Sequence, residues 1–386
     1  MNLSPTTSKK SQLHPDEYKT WSQRMLQGRH PAEGGAEAVN TCLQEASSPL
    51  ARRFFFALVS LGTGALLIGL LLSRSHIALR EILHHLRNVR LVPCALLTLL
   101  LGFNIFLSAM KWRLVDAVVR KRGQPEVSKL AAFTATTVGV ALGQLLPTPV
   151  CMALSRSFGL YKEDRAAGRG VFGTIFEQSF DIVTVALLIP ATVLVHLLHG
   201  GAEIWVLIAA STVLAGLLAV GPGMHLCQRI IIRLCFRDPA NQNRFHRGIS
   251  ELARSGLLDA GLAQKLLMLS ALRFLVLTAM AGETTRAIGL SIPVWHLAAS
   301  MPFVVASTAL SITPGGLGLN EITFAIALKM FGTPLGVATQ WALANRILGA
   351  IASAMVVLTT IAFVCTNKWV MKIRTARLTP EIKASE

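Results

Sequence analysis

Six long apolar stretches, at residues 54–72, 91–110, 171–198, 204–222, 265–282 and 335–365, constrain this chain more than any other feature. Each approaches or exceeds the ~18–20 residues that cross about 30 Å of hydrocarbon at 1.5 Å per residue. No water reaches that depth, so a spanning backbone must satisfy its own N–H and C=O groups, which makes the stretches helices. A transmembrane β-barrel would instead show short alternating segments, and none is present. The expected fold class is an all-α integral membrane protein, a polytopic helical bundle. Composition agrees: 15% of the residues are charged, against about 25% in soluble domains.

The formal charge of +17 does not point to nucleic acid, because no basic stripe is interleaved with aromatics. The Lys and Arg residues instead lie between and beside the apolar stretches, as the positive-inside rule expects. The tail before Phe54 and the segment 223–265 each carry seven, the segment 111–129 six, and 151–170 four. By contrast 199–203 has none and 283–293 only Arg286. The basic-rich set is assigned to the cytoplasm, together with both termini. The segment 73–90 carries four Arg yet is forced outside by its neighbours. Its Ile77, Leu79, Ile82, Leu83 and Leu86 recur near helical spacing, so it reads as an interfacial amphipathic helix.

This assignment constrains two further apolar segments. With 111–129 and 151–170 both cytoplasmic, residues 130–150 must enter and return, and Pro147 and Pro149 break a helix where the turn is needed. Residues 294–331 must do the same from the opposite face, around S-I-T-P-G-G-L-G-L-N-E. The expected architecture is six crossings and two re-entrant helical hairpins, arranged as an inverted repeat. Spacing offers a check: Arg156 and Asp181 lie 7 and 32 residues after Pro149, while Glu321 and Arg346 lie 7 and 32 after Pro314, with the charges swapped.

Ionisable residues inside spans cost about 2.5–3.5 kcal/mol on insertion scales, so they demand a partner or a wet cavity. Glu177 and Asp181 are four apart and share a helix face, with Asp181 near mid-span. Arg346 lies at similar depth beside Asn345. Gly315, Gly316 and Gly318 precede a helix start, where free amides suit an anion. One reading is a central site in which Arg156, Arg346, Glu321 and the glycines hold an anionic group, with Glu177 and Asp181 as pairing or protonation partners. The other is a set of salt bridges locking helices together. Arg273 has no evident partner, and packing or snorkelling accounts for it.

The six cysteines are scattered, with no C-x-x-C and no His at metal-ligand spacing, so neither metal nor cofactor is expected. No nucleophilic triad, P-loop or dinucleotide fingerprint is present, and no enzymatic activity is expected. No apolar stretch precedes Phe54, so the first span is expected to act as its own uncleaved signal.

P-G-G-L-G-L-N-E followed by a late Arg, K-W-R at 111–113 and Leu146–Pro147 resemble the transmembrane, flippase-like domain of the bacterial lysylphosphatidylglycerol synthases. The resemblance spans roughly 54–365. Two departures stand out: T-P-V-C-M-A-L-S-R lacks the acidic residue the family usually places there, and Gln178 follows Glu177 where Arg is common. The resemblance implies lipid handling in a bacterial inner membrane, a membrane lipid or lipid-linked substrate moving between leaflets. A synthase's soluble aminoacyl-transfer domain is not expected in the short stretch after residue 366. The implied division is a disordered cytoplasmic tail over 1–50, a flippase-like membrane domain over 51–366 and a basic cytoplasmic tail over 367–386. A small-solute or ion-coupled carrier, and a non-transporting subunit that recruits a partner, remain open. Self-association and an unknown membrane partner are both compatible with the sequence.

Overall fold

The structure is a computed structural model, and it describes residues 59, 61–75, 79–120, 124, 126–144, 146–164, 167–236, 257–310 and 313–383. The expected tail over 1–50 and residues 237–256 of the basic segment 223–265 lie outside the described residues. The described chain is helical throughout. In order it forms α1 (Leu61–Ser75), α2 (Leu79–Arg87), α3 (Leu91–Val119), α4 (Lys129–Leu142), α5 (Thr148–Asp164) and α6 (Ala167–Leu197). These are followed by α7 (Ala202–Phe236), α8 (Ala260–Ile288), α9 (Val294–Leu310), a 3₁₀ turn at Pro314–Gly316, α10 (Leu319–Met330) and α11 (Leu335–Lys383).

Five helical segments are long and apolar enough to cross a membrane: Leu91–Val119, Gly168–Leu197, Ala202–Ile230, Ala260–Ile288 and Leu335–Asn367. The sequence led us to expect six. The stretch 54–72 appears as the 15-residue Leu61–Ser75, about 22 Å long, with its N-terminal part outside the described residues. Large apolar side chains cover the outside of the bundle, among them Leu66 on α1, Leu207 and Leu218 on α7, and Ile351 and Leu358 on α11. In water such a surface would drive association; in a bilayer it meets its own solvent.

The core packs α3, α8, α9, α10 and α11 together through Leu97, Ile105, Phe274, Leu297, Phe324 and Trp341. The Trp341 indole N–H donates to Thr285 Oγ1 at 2.7 Å, which satisfies its one buried donor. The segment 73–90 is partly the helix expected of it: α2 packs on α11 through Glu81 and Gln340, 3.0 Å apart. Arg90 N–H also donates to Ala287 O at 3.0 Å, tying this corner to the end of α8.

Two pairs of short helices fold back on themselves. In α4–α5, Cβ positions built at Gly143, Gly139 and Gly159 would meet Thr148, Met152 and Ala135 respectively. As one residue number rises the other falls, so the two helices run antiparallel. In α9–α10, Ser307 Oγ donates to Asn320 Oδ1 at 2.8 Å, and His296 Nδ1 lies 3.2 Å from Thr333 Oγ1. That pairing is antiparallel too. At 12–17 residues each, these helices measure about 18–26 Å and fall short of a full crossing.

Candidate functional site

Helical spacing assembles the polar interior. On α3, Asn104, Ser108 and Lys111 follow at i, i+4 and i+7, one face of a helix. On α6, Thr174, Glu177 and Asp181 do the same at i, i+3 and i+7. The two helices pack together, so these stripes meet, and α5 and α8 each add an arginine.

The result is a ladder of five charges. Arg156 of α5 is fully buried and donates from Nη1 to Glu177 Oε1 at 2.8 Å. Its Nη2 donates to Ser108 Oγ at 2.9 Å, its Nε to Thr136 Oγ1 at 3.4 Å, and its guanidinium carbon lies 5.1 Å from the centre of the Trp112 ring. Lys111 Nζ, equally buried, reaches Asp181 Oδ1 at 2.6 Å and Glu177 Oε2 at 3.8 Å. Arg273 of α8 closes the ladder, donating from Nη1 to Asp181 Oδ2 and from Nε to Asn104 Oδ1 at 3.0 Å. Removing one member of such a network strands a charge in a medium that cannot solvate it, at a cost of about 3–5 kcal/mol.

Four of these placements depart from the sequence reading. Arg156, counted with the cytoplasmic segment 151–170, lies on α5 in the interior, so the folded-back pair runs over 129–164 and not 130–150. Lys111 was counted as a loop residue of 111–129, yet α3 continues to Val119 and carries it into the interior. Arg169, counted with 151–170, is buried against Asp116, with Nε donating to Oδ1 at 2.7 Å. Arg273, read as lacking a partner, pairs with Asp181. The period-3.6 polar stripe on α3 was the available signal. A lysine near the end of an apolar run reads in sequence as the boundary of that run, which conceals the stripe.

The second cluster joins the two helix-pair tips. Gly315 N–H donates to Leu146 O at 3.2 Å, so the turn after α9 touches the turn after α4. Arg346 of α11 donates from Nη1 to Gly315 O at 2.6 Å and from Nη2 to Gln144 O at 3.5 Å, bridging both turns. Its Nε lies 3.8 Å from Glu321 Oε1. Glu321 is buried, and its Oε2 accepts the Gly318 N–H at 2.7 Å, capping α10. Gly318 adopts φ +82°, and a Cβ there would come within 2.7 Å of Gly64 O on α1, so both backbone shape and space require glycine. Gly316 N–H donates to Thr313 O at 3.0 Å. The amides expected to face an anion are therefore engaged within the protein in this arrangement.

The expected site residues thus form two groups, Arg156–Glu177–Asp181 and Gly315–Gly316–Gly318–Glu321–Arg346. A cavity of about 590 Å³ lies beside the ladder, within the range of small-molecule sites. Its polar lining includes Asp181, Arg273, Asn104, Gln178, Thr308 and Asn345; the remainder is mostly apolar, including Met152, Leu277, Met301 and Phe324. Asp181 and Arg273 are the two ionisable residues that line it. Among the described residues no cluster of His, Cys, Asp or Glu is arranged to hold a metal.

Long apolar helices around a charged interior define a multi-pass helical membrane protein. The sequence matches the lysylphosphatidylglycerol synthase TM region over residues 56–361, and the chain belongs to that family. No curated protein and no solved structure matches it.

Proposed function

We propose that the protein moves a lipid or lipid-linked substrate between leaflets, as a flippase-like member of its family without an enzymatic activity. The observation that carries this reading is the cavity and its outer wall. Ile175 and Ile182 line it and are also more than half exposed on α6. The cavity therefore extends from the Asp181–Arg273 pair to the apolar outer surface, the route an acyl chain and its headgroup need. A small-solute carrier would instead need an aqueous path closed off from that surface.

The short helix pairs support a re-entrant arrangement, since neither member of α4–α5 or α9–α10 is long enough to cross. Element order supports a repeat. In each half a 29-residue helix (α3, α8), a pair of short helices and a long helix (α6, α11) follow in the same sequence. Of the offset-matched residues, Glu321 on the second short pair meets Arg346 on α11, whereas Arg156 on the first meets Glu177, one turn before Asp181, which takes Lys111 and Arg273 instead. In this reading the orientation is inverted, both termini are cytoplasmic, and the membrane is a bacterial inner membrane.

Arg156, Glu321, Arg346 and the glycine turn, the headgroup machinery of this proposal, do not line the cavity in this arrangement; they engage the substrate only once the tips separate, with Glu177 and Asp181 as pairing or protonation partners. Arg346 is then a latch that exchanges the turn carbonyls for substrate when the tips separate. Scrambling of a fluorescent phospholipid by reconstituted protein provides the test. Arg346→Ala combined with Glu321→Ala is expected to abolish lipid movement; unchanged movement would refute this site.

A further inference from the structure

The ladder does not balance. Its cations are Lys111, Arg156 and Arg273 and its anions Glu177 and Asp181, which leaves one positive charge in the interior. The imbalance sits at one end. Arg156, Lys111 and Glu177 have no exposed side-chain surface, whereas Asp181 and Arg273 are 20% and 19% exposed and line the cavity. All of the donors on Arg156 face protein oxygens. On Arg273, Nη1 is held by Asp181 and Nε by Asn104, which leaves Nη2 without a partner among the described residues. Asp181 meanwhile divides its charge between Arg273 and Lys111.

We infer that Arg273 is the headgroup-binding residue of the cavity, and that its ligand is a headgroup of net single negative charge, such as a phosphodiester whose alcohol carries no cation. A guanidinium fixed by Asp181 and Asn104 is held in one orientation, so its remaining donor is pre-organised for an anionic oxygen. One bound negative charge brings the ladder to neutrality, the condition that low-dielectric surroundings favour. A zwitterionic headgroup leaves the excess in place, and a dianion overshoots it. Asp181 competes with the ligand for the same guanidinium, so it tunes affinity in the direction opposite to Arg273. Arg273 itself is not part of the machinery proposed above, although its role rests on that lipid-handling reading.

Purified full-length protein would be titrated in detergent with dioleoyl phosphatidylglycerol, dioleoyl phosphatidylcholine, dioleoylglycerol and inorganic phosphate, and binding read by native mass spectrometry. Phosphatidylglycerol is expected to bind about tenfold more tightly than phosphatidylcholine or dioleoylglycerol. Competition by millimolar inorganic phosphate would identify a free anion as the ligand instead of a lipid and would overturn the headgroup assignment. Arg273→Gln is expected to remove the charge preference, and Asp181→Asn to strengthen phosphatidylglycerol binding. A purely scaffolding pair predicts weaker binding in both variants, so the opposite signs separate the two roles even if Arg273→Gln folds poorly. Equal binding of all three lipids, or a charge preference that survives Arg273→Gln, would overturn the inference. Lipid scrambling measured alongside keeps the two proposals apart. Scrambling without charge preference refutes the assignment of Arg273 alone, and charge-selective binding without scrambling refutes the flippase reading alone.

Discussion

Arg156→Ala removes the strongest partner of Glu177 and leaves that carboxylate with Ser108 and a distant Lys111. The expected loss is about 3–5 kcal/mol, because the buried Glu177 then keeps only Lys111, 3.8 Å away, as a charged partner, and the hydrogen bonds of the guanidinium are lost with it. A lower thermal midpoint in detergent would reveal it. Arg156→Met combined with Glu177→Met should recover part of that loss, since removing both members of a buried pair costs less than removing one. Gly318→Ala is a separate case. It places a side chain at φ +82° and against the Gly64 carbonyl, so strain of about 1–2 kcal/mol plus a clash is expected. The sequence marked Arg156, Glu177, Asp181, Glu321 and Arg346 as costly because charges in apolar stretches demand explanation. Which partner each takes depended on how the helices rotate about their axes, and no spacing rule along one chain specifies that.

Between elements, glycines set how closely helices approach. A Cβ at Gly170 would fall 2.6 Å from the backbone N and Cα of Ser157, so α5 and α6 are in backbone contact where the ladder begins. Gly170→Ala is expected to push them apart and lower both stability and scrambling. At Gly349 on α11 no atom lies within 4 Å of a built Cβ. Gly349→Ala should therefore be neutral or stabilising by up to about 1 kcal/mol, since alanine is the better helix former. Comparing the two unfolding midpoints checks both. At this scale the apolar runs placed the helices well, but their ends were less legible. Lys111 and Arg169 sit in helices and were read as loop residues, because a neutralised interior charge looks identical in sequence to a solvated one.

Across the whole molecule, the re-entrant plan makes a prediction about sides. In a background stripped of native cysteines, single cysteines at Ser128 and Gly168 flank α4–α5, and those at Ser291 and Gly332 flank α9–α10. All four native residues are exposed. An impermeant thiol reagent applied to sealed cells should spare the first pair and label the second. If Ser128 and Gly168 label from opposite sides, α4–α5 crosses the membrane and the inverted repeat is lost. The sequence by itself determined that the chain is a helical membrane protein, because only helices can bury an unpaired-free backbone in runs of that length. It also located the proline and glycine breaks and the charges that needed company. The tertiary structure alone decided that Lys111 and Arg273 supply that company, that the two turns meet under Arg346, and that a cavity opens at Asp181. Those facts depend on which faces of distant helices come together, a property of packing in three dimensions that local periodicity does not encode.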